Sequence, residues 1–245
     1  MEQLKLELYN PSIFKDVFDT ISHIVDECKL EFTNLGLTIN ALDKSHITFI
    51  SLDFKYDLFD SYQVPDNETL FIDTVQFIKV LNRCGNQDIL KMSTEADNLI
   101  LTFEGDSTKT FKLRLIDQEY ETPKPPSIEH PVTVNAPSHL IKDTLTDLKL
   151  FSENFRISVD EDYLRLYTDG QFGDTETKYL HGMQIREYVQ SSYSIEKFTD
   201  IFRASKLSET VELGIGNDQP ITITFKLVTG DGSLSFLLAP RLEQD

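Results

Sequence analysis

Pro11-Ser12-Ile13-Phe14-Lys15-Asp16 and Pro137-Ser138-His139-Leu140-Ile141-Lys142-Asp143 open two stretches of one pattern. Each begins a helical periodicity with Pro-Ser, places a Lys-Asp pair shortly after, and runs into strands that reach a leucine. That leucine is Leu37, 26 residues after Pro11, and Leu164, 27 residues after Pro137. Farther on, Phe77 begins a second helical pattern and Phe103 closes a strand; Phe198 and Phe225 repeat the pair, at intervals of 26 and 27. Four landmarks in one order mark an internal duplication. The 245 residues therefore divide into two repeats of ordinary domain size, expected at 1–117 and 132–245.

Each half reads as strand, helix, several strands, helix, several strands. Leu4/Leu6/Leu8, Phe111/Leu113/Leu115 and Ile221/Ile223/Phe225/Leu227 alternate with polar residues, as strands with one wet face do. Helices are expected over roughly 12–24, 73–84, 138–149 and 194–204. The first turns Ile13, Phe14, Val17, Phe18, Ile21, Ile24 and Val25 to one side, with Asn10 as its cap and Pro11 in its first turn. The third does the same with Leu140, Ile141, Leu145, Leu148 and Phe151. Four amphipathic helices on one side of antiparallel sheet make an α+β fold. Between the halves, residues 118–131 carry Pro123, Pro125, Pro126 and Pro131 and little periodicity, which reads as a stiffened interdomain connector.

A formal net charge of −18 argues against simple nucleic-acid binding, since phosphate contacts call for a basic footprint. The acidity is unevenly placed. Over the four helical spans the cations Lys15, Lys79, Arg83, Lys142, Lys149, Lys197 and Arg203 are balanced by seven acids, so strands, loops and connector hold the excess. These seven cations also suit plain solvated helix faces.

Cys28 and Cys84, the two cysteines, make no disulfide scaffold and no metal-spaced cluster; both are expected as ordinary core thiols. No phosphate-binding glycine loop or zinc motif occurs, and Gly214-Ile215-Gly216 lacks the third glycine of a dinucleotide site. Asp160-Glu161-Asp162 reads as a charged turn before it reads as a cation site. No nucleophile with a base stands out, so no catalytic residue, metal or cofactor is assigned. An acid-pair hydrolase rests only on the abundance of 41 acids. No run of some 18 apolar residues suggests a membrane span, and no targeting segment is read at Met1-Glu2-Gln3, so a cytoplasmic protein is expected.

Gly36-Leu37-Thr38-Ile39-Asn40-Ala41-Leu42-Asp43-Lys44-Ser45-His46-Ile47 resembles the strand-and-loop signature of archaeal and eukaryotic sliding clamps, the proliferating cell nuclear antigen family. Leu237-Leu238-Ala239-Pro240-Arg241-Leu242-Glu243 is similar to their carboxyl end, and Cys84-Gly85-Asn86-Gln87-Asp88 and Lys206-Leu207-Ser208-Glu209-Thr210-Val211 resemble further clamp segments. The resemblance implies a duplicated DNA-clamp fold in a homotrimeric toroid, sheets outside and helices lining the channel. Such a ring encircles double-stranded DNA without sequence preference, acts as a polymerase processivity factor, and docks replication and repair proteins: DNA polymerase, clamp loader, flap endonuclease, DNA ligase and other PIP-box proteins. The resemblance assigns DNA-facing roles to Lys15, Lys79, Arg83, Lys142, Lys149, Lys197 and Arg203. It assigns partner-peptide binding to Leu42, His46, Ile47, Phe49, Pro123, Pro125, Pro126, Pro220, Leu237, Leu238, Ala239 and Pro240, and subunit contacts to edge strands near 109–116 and 175–182. Asp16, Asn82, Asp143 and Glu196 depart from it where relatives carry Lys or Arg, and His130 stands where an aromatic is common. A subunit of a heterotrimeric clamp, or an interaction scaffold that never encircles DNA, remains the alternative.

Overall fold

A computed structural model of the chain describes residues 3–64, 67–117, 123–170, 173–181, 185 and 187–241. The chain forms two compact units. The first comprises Met1–Leu42, Ile50–Lys124 and Leu227–Leu234, the second Asp43–Phe49, Pro125–Lys226 and Ser235–Asp245. Residues 118–122 of the connector and Leu242 and Glu243 of the carboxyl-end motif lie outside the described residues.

In the first unit the order is β1 (Lys5–Leu8), α1 (Ser12–Ser22), β2 (Glu27–Thr33), β3 (Gly36–Leu42), β4 (Thr48–Lys55), β5 (Ser61–Gln63), β6 (Glu68–Asp73), α2 (Thr74–Leu81), β7 (Ile89–Glu95), β8 (Asn98–Glu104) and β9 (Thr108–Arg114). Its strands lie in the orders β5-β1-β7-β8-β9 and β4-β3-β2-β6. The second unit has β10 (Val132–Pro137), α3 (Ser138–Leu148), β11 (Asn154–Val159), β12 (Tyr163–Gly170), β13 (Gly173–Leu180), β14 (Val189–Ser194), α4 (Ile195–Ile201), β15 (Thr210–Ile215), β16 (Ile221–Lys226) and β17 (Gly232–Leu238). Its orders are β10-β15-β16-β17 and β13-β12-β11-β14. Element for element, β13-β12-β11-β14 repeats β4-β3-β2-β6, and β10-β15-β16-β17 repeats β1-β7-β8-β9. Among the strands of the described residues only the short β5, paired to β1 through Leu6↔Tyr62, has no counterpart.

The duplication extends to hydrogen bonds. Each second helix follows directly on a strand whose last residue caps it: Asp73 accepts from Gln76 N at 2.8 Å, and Ser194 from Lys197 N at 3.5 Å. Each first helical residue donates back across the sheet, Thr74 N to Asp26 O at 2.8 Å and Ile195 N to Glu153 O at 2.9 Å.

In each core a buried phenylalanine of the second helix joins a ring cluster, with partners on different elements. Phe77 of α2 meets Phe18 of α1 edge-on at 4.7 Å, and Phe14 lies 4.7 Å from Phe18. Phe198 of α4 meets Phe155 of β11 edge-on at 4.9 Å and stacks on Phe202 at 5.5 Å. All six rings are buried. The alternation read at Leu4/Leu6/Leu8 and Ile221/Ile223/Phe225/Leu227 is buried too, whereas Phe111, Leu113 and Leu115 are only half-buried because β9 is the edge of its sheet.

The helix ends differ from expectation in identifiable ways. Pro11, not Asn10, is the capping residue of α1; the Asn10 side chain instead accepts from Ser12 N at 3.2 Å and Ser12 Oγ at 2.6 Å. At the other end, Ser22 Oγ donates to Asp19 O at 2.9 Å and the His23 ring lies 2.7 Å from the same oxygen. Side chains thus occupy the carbonyl that the next turn needs, and α1 stops at Ser22. Beyond Ile201 the fourth helix tightens into a 3-10 segment, Phe202–Leu207. Phe151 lies past the end of α3, in the turn before β11.

Gly36 is one glycine the fold requires. Its φ is +143°, and a Cβ there would lie 1.9 Å from Phe54 O. Cys28 and Cys84 are free and buried, and burial pushes both thiols upward.

Phe198→Ala removes the ring that joins α4 to β11 and Phe202. A loss of about 3–5 kcal/mol is expected in urea unfolding, whereas Leu140→Ala, at a side chain that is 39 % exposed, should cost less than about 1 kcal/mol.

Candidate functional site

The turn between β3 and β4 carries the first group of sequence-derived partner residues, and Asp43 organises it. Asp43 N donates to Thr48 O at 3.0 Å and His46 N to Asp43 O at 2.9 Å, closing the turn. The Asp43 carboxylate then fills its interior. Its Oδ1 accepts from Ile47 N at 2.7 Å and Thr48 N at 2.9 Å; its Oδ2 accepts from Ser45 Oγ at 2.5 Å and Lys197 Nζ at 2.9 Å. The Asp43 side chain is 3 % exposed. Burial alone would raise its pKa, but bonds from Ser45, Thr48, Lys197 and Ile47 outweigh that and hold it below the ordinary carboxylate value. His46 sits in the left-handed region at φ 58°, a conformation costing of order 1 kcal/mol in a non-glycine residue, which the surrounding bonds enforce.

This turn presents its residues unequally. His46 is exposed and Ile47 half-buried, while Phe49 is in the core. The carboxyl end joins it in the same unit: Ala239 N donates to Ile47 O at 2.9 Å. Leu237, Ala239 and Pro240 are half-buried and Leu238 fully buried. Phe49 and Leu238 therefore offer no side-chain surface and support the segment from beneath. Arg241 N donates to Ser192 O at 2.7 Å, fixing the chain after Pro240. Pro220, half-buried, follows Gln219, whose carbonyl accepts from Tyr193 Oη at 2.7 Å. Pro125 and Pro126 are exposed in the connector. In the first unit, Leu42 is exposed at the end of β3 and Pro123 is half-buried.

His130 pins the far end of the connector. Its ring lies where a Cβ on residue 214 would stand, 2.4 Å from that position, so a side chain at Gly214 would displace the ring. The His130 Nε2 and Thr222 Oγ1 atoms are 2.6 Å apart. Burial holds the His130 pKa below 6.5, favouring the neutral ring.

The seven helix cations are not equivalent. Lys79, Arg83, Lys142 and Lys149 are exposed. Lys15 is half-buried, and its ammonium donates to Cys84 O. Arg203 lies 3.9 Å from Asp200, one turn away. Lys197, 31 % exposed, is bound to Asp43. Of the departures, Asn82, Asp143 and Glu196 are exposed on the same helices, further thinning their positive charge.

Asp43 was absent from the sequence-derived site. A short polar residue before Lys44-Ser45 is a turn signal; the pairing with Lys197, 154 residues away, leaves none. Asp160 behaves as the turn reading expects, its carboxylate accepting from Asp162 N at 3.0 Å and Tyr163 N at 2.8 Å and pairing with Arg165 at 2.5 Å. No group of three or more metal-ligating side chains occurs among the described residues.

Comparison with known proteins covers both units. Residues 3–122 match the family model "Proliferating cell nuclear antigen, N-terminal domain", and residues 124–241 match the corresponding C-terminal domain. The chain is 48 % identical over 241 residues to the DNA polymerase sliding clamp of Methanobrevibacter smithii, covering 98 % of this chain and 99 % of that one. It is 43 % identical, with the same coverage, to the DNA polymerase sliding clamp of Methanothermobacter thermautotrophicus. The proliferating cell nuclear antigen of Chaetomium thermophilum is 29 % identical over 258 residues, 99 % of both chains.

Since His130 is held neutral, the folded chain binds fewer protons there than the unfolded one. Its contribution to stability is present above pH 6.5 and is lost as pH falls through the depressed folded value. Urea unfolding at about pH 7.5 and about pH 5 should show a smaller acid-induced loss in His130→Phe than in the parent chain.

Proposed function

The chain belongs to the proliferating cell nuclear antigen family, and from that membership we propose that it is a DNA sliding clamp, a ring that tethers polymerase to duplex DNA and docks replication and repair proteins. The observation that carries this reading is the pairing of a full-length duplication in strand order with family matches to both halves. The role has no catalytic step. Residence on DNA comes from topological linkage, so attraction to phosphate stays weak enough for sliding. A net charge of −18 is then an asset, because it discourages contact with DNA that the ring does not enclose.

For assembly we propose three copies joined head to tail through β9 and β13. Both are terminal strands of their sheets. The first carries Lys109, Lys112 and Arg114, the second Asp174 and Glu176 beside Lys178, so the two edges differ in sign. An edge strand is a template for pairing, and a heterologous contact closes into a ring when its rotation divides the circle. The 175–182 segment runs into residue 182, which lies outside the described residues.

DNA-facing roles fit Lys79, Arg83, Lys142 and Lys149 best, as the exposed cations of the four-helix set. Partner docking fits the turn around His46 and Ile47 with Ala239 and Pro240, which one hydrogen bond joins. We place the PIP-box peptide there, with DNA polymerase, clamp loader, flap endonuclease and DNA ligase as the classes of partner that carry such peptides, acting in the cytoplasm on chromosomal DNA. The thinned helix charge favours one second reading, the interaction scaffold. Polymerase extension on primed circular DNA with a clamp loader separates the two: long products support the clamp, and no stimulation supports the scaffold.

Light scattering of the purified chain should give about three times its 28.2 kDa mass; a monomer at micromolar concentration would overturn the homotrimer. Replacing Lys79, Arg83, Lys142 and Lys149 together by Ala should lower the salt dependence of DNA binding by about one unit of slope for each phosphate no longer neutralised, leaving the particle mass unchanged.

A further inference from the structure

We propose that Lys197 positions the partner-binding turn and is not a DNA contact. This inference rests on the reading of that turn as the docking site. Lys197 is on α4 and Asp43 opens the turn, 154 residues away, and the ammonium–carboxylate distance is 2.9 Å. The other bonds to the Asp43 carboxylate come from neutral donors: two backbone N–H groups and the Ser45 hydroxyl. A carboxylate 3 % exposed needs a counter-charge, and Lys197 provides it.

The direction of control follows from which atoms are shared. Asp43 Oδ1 fixes the amides of Ile47 and Thr48, and Oδ2 holds Lys197. Rotating the carboxylate to seek water after loss of the cation would pull Oδ1 off both amides. The turn would then lose the bonds that keep His46 in its left-handed conformation and Ile47 beside Ala239. Lys197 also cannot serve phosphate without leaving this buried partner uncompensated. Its sequence-derived place among the DNA-facing cations is thereby reassigned.

The replacement Lys197→Met keeps the aliphatic stem and removes the charge. In the assembled protein, a labelled synthetic PIP-box peptide should bind about tenfold more weakly, as expected if the competent turn falls to about one-tenth of the population. Hydrogen exchange at the Ile47 and Thr48 amides should accelerate about tenfold while the amides of β16 keep their rates, which a general loss of stability would not do. Lys197→Arg should restore both. The salt slope of DNA binding should stay at the parent value. Unchanged exchange at Ile47 and Thr48, or a slope lowered by about one, would overturn the inference. Parent protein that fails to bind the peptide would overturn the docking-site reading instead, and the exchange rates would still decide whether Lys197 holds the turn.

Discussion

Each unit depends on a phenylalanine of its second helix being buried in a cluster of other rings. Phe77 does this in one unit and Phe198 in the other, and both are fully buried. Each is surrounded by further rings: Phe14 and Phe18 around Phe77, Phe155 and Phe202 around Phe198. A short helix, eight residues in α2 and seven in α4, has little stability of its own. Burying one large ring in an edge-to-face cluster, with a capping side chain at the helix start, fixes the helix at a set height on the sheet. The charged residues between the buried positions then have no choice but to face outward. Outward-facing charges on these helices are thus a by-product of core packing.

Periodic features were legible in the sequence for this reason. Phe77 and Phe198 recur at matched spacing because they do the same mechanical work, and Leu4/Leu6/Leu8 alternate because one face of β1 is buried. Duplication, α+β class and four helices follow from such repeats. What escaped was set by side chains acting on their neighbours. Ser22 and His23 ended α1 early, and Asn10 bonded outside the helix it was expected to cap. Within the candidate site the composition of the turn was legible, but exposure was not. Phe49, Ile47 and His46 look alike as candidates in sequence, yet they range from core to surface. An ion pair between residues 43 and 197 has no local signature at all.

The charge distribution acquires a sharper meaning from these placements. Seven helix cations against seven helix acids suggested a neutral surface, but the cations divide into groups with different tasks. Lys15 satisfies the carbonyl of Cys84, in the turn after α2. Lys197 neutralises a buried carboxylate. Arg203 lies beside Asp200. The other four, two on or beside the helices of each unit, are exposed and act on solvent or ligand. A surface with so few exposed cations binds a polyanion weakly and with modest salt dependence. Weak attraction is a defect in a protein that must find DNA by affinity. It is a requirement in one that encloses DNA, because each phosphate contact adds friction to sliding.

The same logic explains why the turn at Asp43 is so heavily bonded. A docking segment that must accept several partners gains from being ordered before they arrive, since each partner is then spared the entropy of arranging it. A turn of five residues cannot be ordered by packing alone when its central residue is exposed. Four hydrogen bonds to one carboxylate do it instead, at the cost of burying a charge. That cost makes the counter-ion indispensable, and the counter-ion comes from α4. The candidate docking turn therefore depends on a residue of α4, so a charge change on that helix reaches the turn directly through the Lys197–Asp43 pair.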